Sequence, residues 1–182
     1  MPRLTPLDLD HLTPEQQEVA NAIVSGPRGG LRGPFDPWLR SPQLADRAQR
    51  LGEFCRFHSS LPPRLSEMAI IVTGAYWKSQ YEFYAHARLA REAGLPDAVI
   101  EAIRTGVRPD VTGPEAAIYD FVTEFLNTKR VSDATYARAI EVFGERGVVD
   151  LVGIVGYYGL VSMTLNVFDV PLPAGVEPPL PA

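Results

Sequence analysis

Ser79, Glu82 and His86 have the residue types and the spacing for proton chemistry. In the run from Ser79 to His86, SQYEFYAH, the three fall within about 60° of one another on a helical wheel. The stripe continues through Leu89, Ala90 and Ala93, while Tyr81, Arg88, Arg91 and Glu92 take the opposite side. A carboxylate and an imidazole therefore share the face that otherwise reads as buried, one helical turn apart and within reach of each other. A polar pair in that position costs free energy unless it is hydrogen-bonded. Two readings follow. Glu82 orients His86 and sets its tautomer and pKa for proton transfer, or the pair is a core hydrogen bond that ties two helices together. Glu67 is the second acid of interest. It stands just ahead of Met68-Ala-Ile-Ile-Val72, where a carboxylate is unusual unless paired. Its alternative explanation is a favourable place near a helix N-terminus.

Other chemical residues are less constrained. Cys55 falls on an apolar stripe and reads as core packing; with His58 three residues on it offers a thiolate pair only if both face the same way. His11 reads as solvated. Tyr157-Tyr158 stand in an apolar helix, where one hydroxyl, that of Tyr158, could reach a cavity and a substrate. Arg28 and Arg32 lie in a glycine-rich loop and could meet an anion. That loop lacks GxxxxGK[ST], which argues against a nucleotide site. The three histidines are too dispersed for a metal motif, and a mixed Glu67/Glu82/His86 metal site has no motif behind it, so no metal is expected.

The elements that must position these residues are helical. Thr13-Pro14-Glu15-Gln16 opens a first helix with a cap, a proline at the first position and a glutamine at the third, and Gly26 stops it. Residues 26–37, GPRGGLRGPFDP, read as a loop. Ser41-Pro42 opens a second helix whose Leu44, Ala48, Leu51 and Cys55 form one apolar stripe. Pro62-Pro63 starts a third, carrying Glu67, which Thr73-Gly74 is expected to interrupt. A fourth is expected from about Trp77 to Ala93, capped by Gly94. Further helices are expected from Pro96 to about Arg104, Pro114 to about Thr128, Ser132 to Phe143 and Gly147 to about Val167. No alternating strand pattern or repeat is present. The class is all-α, with about eight helices in one domain, and residues 1–12 and 171–182 read as extended tails, the second proline-rich.

The chain has 182 residues, 46% hydrophobic and 21% charged, with net charge −5. That length buries a sizeable core. The acidic balance gives no footing for a nucleic-acid partner or an anionic membrane surface. The single cysteine excludes an intrachain disulfide and a CxxC redox pair. No basic and apolar leader opens the sequence, and a cytoplasmic location is expected. Residues 151–168 carry no charge, but they include Gly153, Gly156, Gly159, Ser162, Thr164 and Asn166 and are bounded by Asp150 and Asp169. A buried helix, covered by other helices or another subunit, is expected over a membrane span.

Residues 64–103, RLSEMAIIVTGAYWKSQYEFYAHARLAREAGLPDAVIEAI, resemble the carboxymuconolactone decarboxylase family, within the alkyl hydroperoxidase D-like fold. The likeness lies in a glutamate in an apolar helix, a Gly-Ala pair, a YE-aromatic-x-x-H core and an LAREAGL helix end. The segment VVDLVGIVGYYGLVSMTLNVFDVPLP resembles the family's closing helix and exit. The peroxidase branch of that fold carries C-x-x-C-x-x-x-H after a glutamate. With His86 at the histidine and Glu67 at the glutamate, Ser79 and Glu82 stand at the two cysteines. Serine and glutamate form neither a sulfenic acid nor a disulfide, so peroxiredoxin-type reduction of alkyl hydroperoxides lacks its sulfurs at this motif. The decarboxylase branch implies a lactone bearing a carboxylate, loss of CO₂ and protonation of the resulting carbanion. On that reading His86 is the general acid or base, Glu82 orients it, Glu67 hydrogen-bonds it or shuttles the proton, and Ser79 and Tyr158 contact substrate. No cofactor is needed where the substrate is its own electron sink. Arg28, Arg32, Arg40 and Arg64 are the candidates to hold a carboxylate. The resemblance also implies a homo-oligomer, a trimer or a hexamer. A non-catalytic oligomeric binding protein on the same fold is the third reading.

Overall fold

A computed structural model describes residues 2–181. Among these residues the chain forms eight α-helices and no strand: α1 (Pro14–Ser25), α2 (Phe35–Trp38), α3 (Pro42–Glu53), α4 (Pro63–Tyr76), α5 (Gln80–Glu92), α6 (Asp97–Thr105), α7 (Gly113–Thr128) and α8 (Asp133–Val167). This is the all-α class. The expected capping box at Thr13 is present with both of its hydrogen bonds.

α4 is the central element and packs against α5, α7 and α8. Ten consecutive residues, Leu65 to Gly74, are buried. A helix buried on every side needs apolar residues all round, which is what Leu65, Met68, Ala69, Ile70, Ile71 and Val72 supply. Thr73-Gly74 does not interrupt it. The Thr73 hydroxyl donates to the Ala69 carbonyl at 2.8 Å, and the helix runs on to Tyr76. It then closes in a Schellman turn. The Ser79 N–H donates to the Gly74 carbonyl and the Lys78 N–H to the Ala75 carbonyl. Lys78 takes the left-handed conformation, φ 52°, that this turn requires. The turn folds α5 back along α4, so α5 begins at Gln80 rather than near Trp77.

α3 departs from its expected stripe. Leu44 and Leu51 are exposed, and Ala45, Ala48, Gln49 and Gly52 face inward. The cause is close approach: a β-carbon at Gly52 would overlap the Tyr157 hydroxyl and the Arg28 guanidinium. The inward face needs small residues, so the leucines turn outward. Phe54–His58 continue α3 as a π-helical turn. The loop after α1 contains α2, whose Phe35 and Trp38 are buried.

α8 bends at Gly144 (φ 67°), the expected break between two helices. It is long and apolar enough to cross a membrane, but 67% of its most apolar stretch is buried within the fold, as in a core helix. The C-terminal segment packs on its own chain. Leu180 is buried, and the Gln80 side chain both accepts from its N–H and donates to its carbonyl.

Candidate active site

The α4–α5 hairpin brings Glu67 and His86 face to face. His86 Nδ1 lies 2.7 Å from Glu67 Oε2. An ionised carboxylate only accepts, which assigns the proton of this contact to Nδ1. On the other edge of the ring, Nε2 lies 3.1 Å from Glu82 Oε1. That contact is an ion pair not aligned as a hydrogen bond, and Glu82 Oε1 has no hydrogen-bond partner. Tyr158 of α8 closes a third side, its ring edge-on to the imidazole with centroids 4.9 Å apart. All four residues are buried.

Ser79 and Glu82 have the Ser-x-x-Glu spacing of a capping box, yet neither caps. Ser79 is the N-cap residue of α5, not a residue on its face; its side chain makes no cap bond, and its hydroxyl is buried without a partner. Glu82 turns to His86 instead. A local rule is thus given up in favour of a contact between two ionisable groups, a pattern that marks functional sites.

Burial opposes charge on His86, but the Glu67 and Glu82 carboxylates outweigh it and raise the imidazole above 6.5. Burial is also the largest influence on Glu82; with the Glu67 charge it raises that carboxyl above 4.5, against the pull of His86. Both groups hold their protons more tightly than in water. Burial and the two carboxylates push the Tyr158 hydroxyl well above 10.0, so it stays an O–H donor at neutral pH. The Tyr158 oxygen has no hydrogen-bond partner.

Glu82, His86 and Tyr158 line a cavity of about 550 Å³. Its other walls carry Arg28, Arg32 and Arg56. Arg28 packs over the Phe35 ring, and its Nη2 stands 3.5 Å from the Tyr157 hydroxyl. Arg56 enters from the π-helical turn, a distortion that recurs at functional sites. No sequence pattern pointed to Arg56. The two remaining arginine candidates lie elsewhere. Arg40 is held by Asp36, and Arg64 pairs with Glu115 at 2.9 Å.

Cys55 is fully buried, and burial raises its thiol to about 11. His58 is exposed and lies 3.8 Å from Glu53, so the two form no thiolate pair. His11 is exposed beside Asp8. Among the described residues no group of three or more His, Cys, Asp or Glu side chains is arranged to hold a metal ion.

The model of the carboxymuconolactone decarboxylase family matches residues 42–124, from the start of α3 into α7. Two solved structures share the fold. One is described as an alkylhydroperoxidase AhpD core, an uncharacterized peroxidase-related protein from Ralstonia eutropha JMP134. It has a TM-score of 0.79 and 16% identity, with 95% of this chain and 93% of that chain covered. The other is an uncharacterized peroxidase-related protein from Silicibacter sp. TM1040. Its TM-score is 0.76 at 14% identity, with 95% and 92% covered. No curated protein matches the chain.

Proposed function

We propose, from the match of residues 42–124 to the carboxymuconolactone decarboxylase family model, that this chain catalyses cofactor-independent decarboxylation or proton transfer on a small carboxylated or lactone substrate. The observation that carries this reading is the His86 imidazole held between Glu67 at 2.7 Å and Glu82 at 3.1 Å beside a cavity. An imidazole gripped at Nδ1 by a carboxylate has one ring edge left to exchange a proton. In a decarboxylation the bond to the departing carboxylate breaks, CO₂ leaves, and its electron pair passes into the neighbouring carbonyl as an enolate. Protonated His86 delivers a proton to the carbon, solvent in the cavity returns a proton to the ring, and the Glu67 and Glu82 carboxylates hold the imidazolium in between. Tyr158 donates a hydrogen bond to the enolate oxygen, where charge develops. Arg28, Arg32 and Arg56 draw the anion into the cavity; Ser79, expected to contact substrate, is fully buried and is not on the cavity wall.

Thiol-based hydroperoxide reduction, the second reading, draws on the fold shared with the peroxidase-related proteins. It needs a thiolate at the cavity, and the cavity lining among the described residues contains no cysteine. The third reading is a non-catalytic oligomeric binding protein. We further infer self-association, as a trimer or hexamer, in the cytoplasm. Val149, Val152, Met163 and Val167 are exposed along α8, and light scattering on the purified protein tests this part.

The chemistry is tested by incubating wild type and His86→Asn with a panel of carboxylated lactones and β-keto acids, following CO₂ release and proton–deuterium exchange. Turnover that disappears in the variant while the fold persists supports the reading. Wild-type inactivity across the panel, with hydroperoxide turnover in the presence of dithiols, replaces it with the second. Inactivity in both assays favours the binding protein.

A further inference from the structure

The segment after α8 crosses two features that are far apart in sequence. Pro173 lies on the wall of the His86 cavity. Seven residues on, Leu180 is 4% exposed and helps line a separate groove with Val72, Ile103 and Leu126. Between these points the chain, AGVEPP, makes a turn at Ala174-Gly175, closed by the Val176 N–H donating to the Pro173 carbonyl at 3.1 Å, with Gly175 at φ 80°, and then runs extended through Pro178-Pro179.

The far end is fastened by side chains of the helical body. The Gln80 amide meets the Leu180 backbone twice, accepting from its N–H at 2.8 Å and donating to its carbonyl at 3.1 Å. This is the exchange that a neighbouring β-strand would make. Arg104 donates to the Pro179 carbonyl at 2.9 Å, and Lys78 reaches the Pro181 carbonyl at 3.4 Å. The near end is fixed by the helix it leaves, with the Val170 N–H donating to the Leu165 carbonyl at 3.0 Å. A short segment held at both ends, with a hydrogen-bonded turn between them, keeps its middle in place. Gln80 sits between Ser79 and Tyr81, two residues from Glu82, so one residue serves both the site helix and the far anchor.

We propose that residues 170–181 form a strap that completes one wall of the His86 cavity, with Gln80 as its latch. Gln80 is a positioning residue: it touches the strap and acts on the cavity through Pro173. This inference does not depend on which reaction the cavity performs. It predicts that access to His86 is set by the Gln80–Leu180 contact, at the opposite end of the strap from the imidazole.

The test is site-resolved carbethoxylation by diethylpyrocarbonate, read by mass spectrometry at pH 8, alongside amide hydrogen exchange. Exposed His11 and His58 serve as internal standards. Gln80→Ala removes both latch bonds, and Leu180→Asp places a charge in the apolar groove. Each is expected to raise the His86 modification rate about tenfold, the change that loss of two ordinary hydrogen bonds would give, and to speed amide exchange in the strap. His11 and His58 should keep their wild-type rates. Faster strap exchange with an unchanged His86 rate would show that the segment detaches without uncovering the cavity, and would overturn the proposal. So would unchanged exchange in both variants. If Gln80→Ala perturbs the fold by circular dichroism, Arg104→Ala, from the outer side of the latch, carries the same expectation. Because the readout is chemical access and not turnover, an inactive wild type would leave this test intact.

Discussion

The two sides of the His86 cavity are built differently. One side is the helical hairpin of α4 and α5 with α8 behind it, and it supplies Glu67, Glu82, His86 and Tyr158 from regular turns of buried helix. The other side is assembled from the loop after α1, the π-helical turn after α3 and the strap, and it supplies Arg28, Arg32, Arg56 and Pro173. The helical side fixes ionisable groups at hydrogen-bond distances in the core. The irregular side presents guanidinium groups at the cavity wall, with Arg28 packed over the Phe35 ring. On the function proposed above, the difference is a division of labour: the helical side would hold the proton-transfer groups, and the irregular side would select what reaches them.

That division is broken or sharpened most strongly by His86→Asn. With the imidazole gone, turnover of any substrate found should drop about 10²–10⁴-fold, with circular dichroism and oligomer size unchanged. Arg56→Ala, on the irregular side, should instead raise KM about tenfold or more and leave kcat within a few-fold, the loss expected when a charged hydrogen bond to substrate is removed. Steady-state kinetics on the two variants compare the sides directly, and a kcat loss in Arg56→Ala equal to that in His86→Asn would break the distinction. Gly52→Ala tests where the sides meet, since its β-carbon would overlap both Tyr157 and Arg28. Overpacking of this kind should cost about 1–3 kcal/mol, read as a lower Tm.

A pH scan of stability gives a smaller effect confined to the helical side. His86 titrates higher when folded than its ordinary 6.5, so its stabilisation is complete below 6.5 and is lost as pH rises through the folded value. Glu82 also titrates above its ordinary 4.5, so the folded state retains that proton longer and stability declines as pH rises from 4.5. Both act in the same direction. Tm should fall from mildly acidic to alkaline pH, and His86→Asn should flatten the part of the slope above 6.5. The smallest effect belongs to Arg91→Ala, whose partner Asp97 is exposed. Urea unfolding should place it within about 0.5 kcal/mol of wild type.

The same contrast explains what the sequence shows and what it hides. Glu82 and His86 stand out because helical periodicity is written in local spacing, and an acid and an imidazole on an apolar stripe violate it visibly. Glu67 stands out for the same reason. Their convergence depends on the turn at Lys78, whose left-handed residue is a lysine and not the usual glycine, so the turn carries no local signal. Reading a break at Thr73-Gly74 followed from weighing glycine above burial. The stripe assigned to α3 failed because Leu44 and Leu51 outrank Ala45, Ala48 and Gly52 in hydrophobicity, whereas close approach of Tyr157 selects the small residues. Arg56 and Pro173 reach the cavity through a π-helical turn and a non-helical strap, and neither leaves a period to read.

The most direct test of the central claim, a histidine poised between two carboxylates for proton transfer, is a pH titration of the three histidines by NMR in wild type and Glu67→Gln. The account predicts that His86 titrates above the ordinary imidazole range in wild type and falls in Glu67→Gln, while the exposed His11 and His58 do not move between the two proteins. An His86 that titrates at or below the ordinary value, and does not respond to Glu67→Gln, would contradict it.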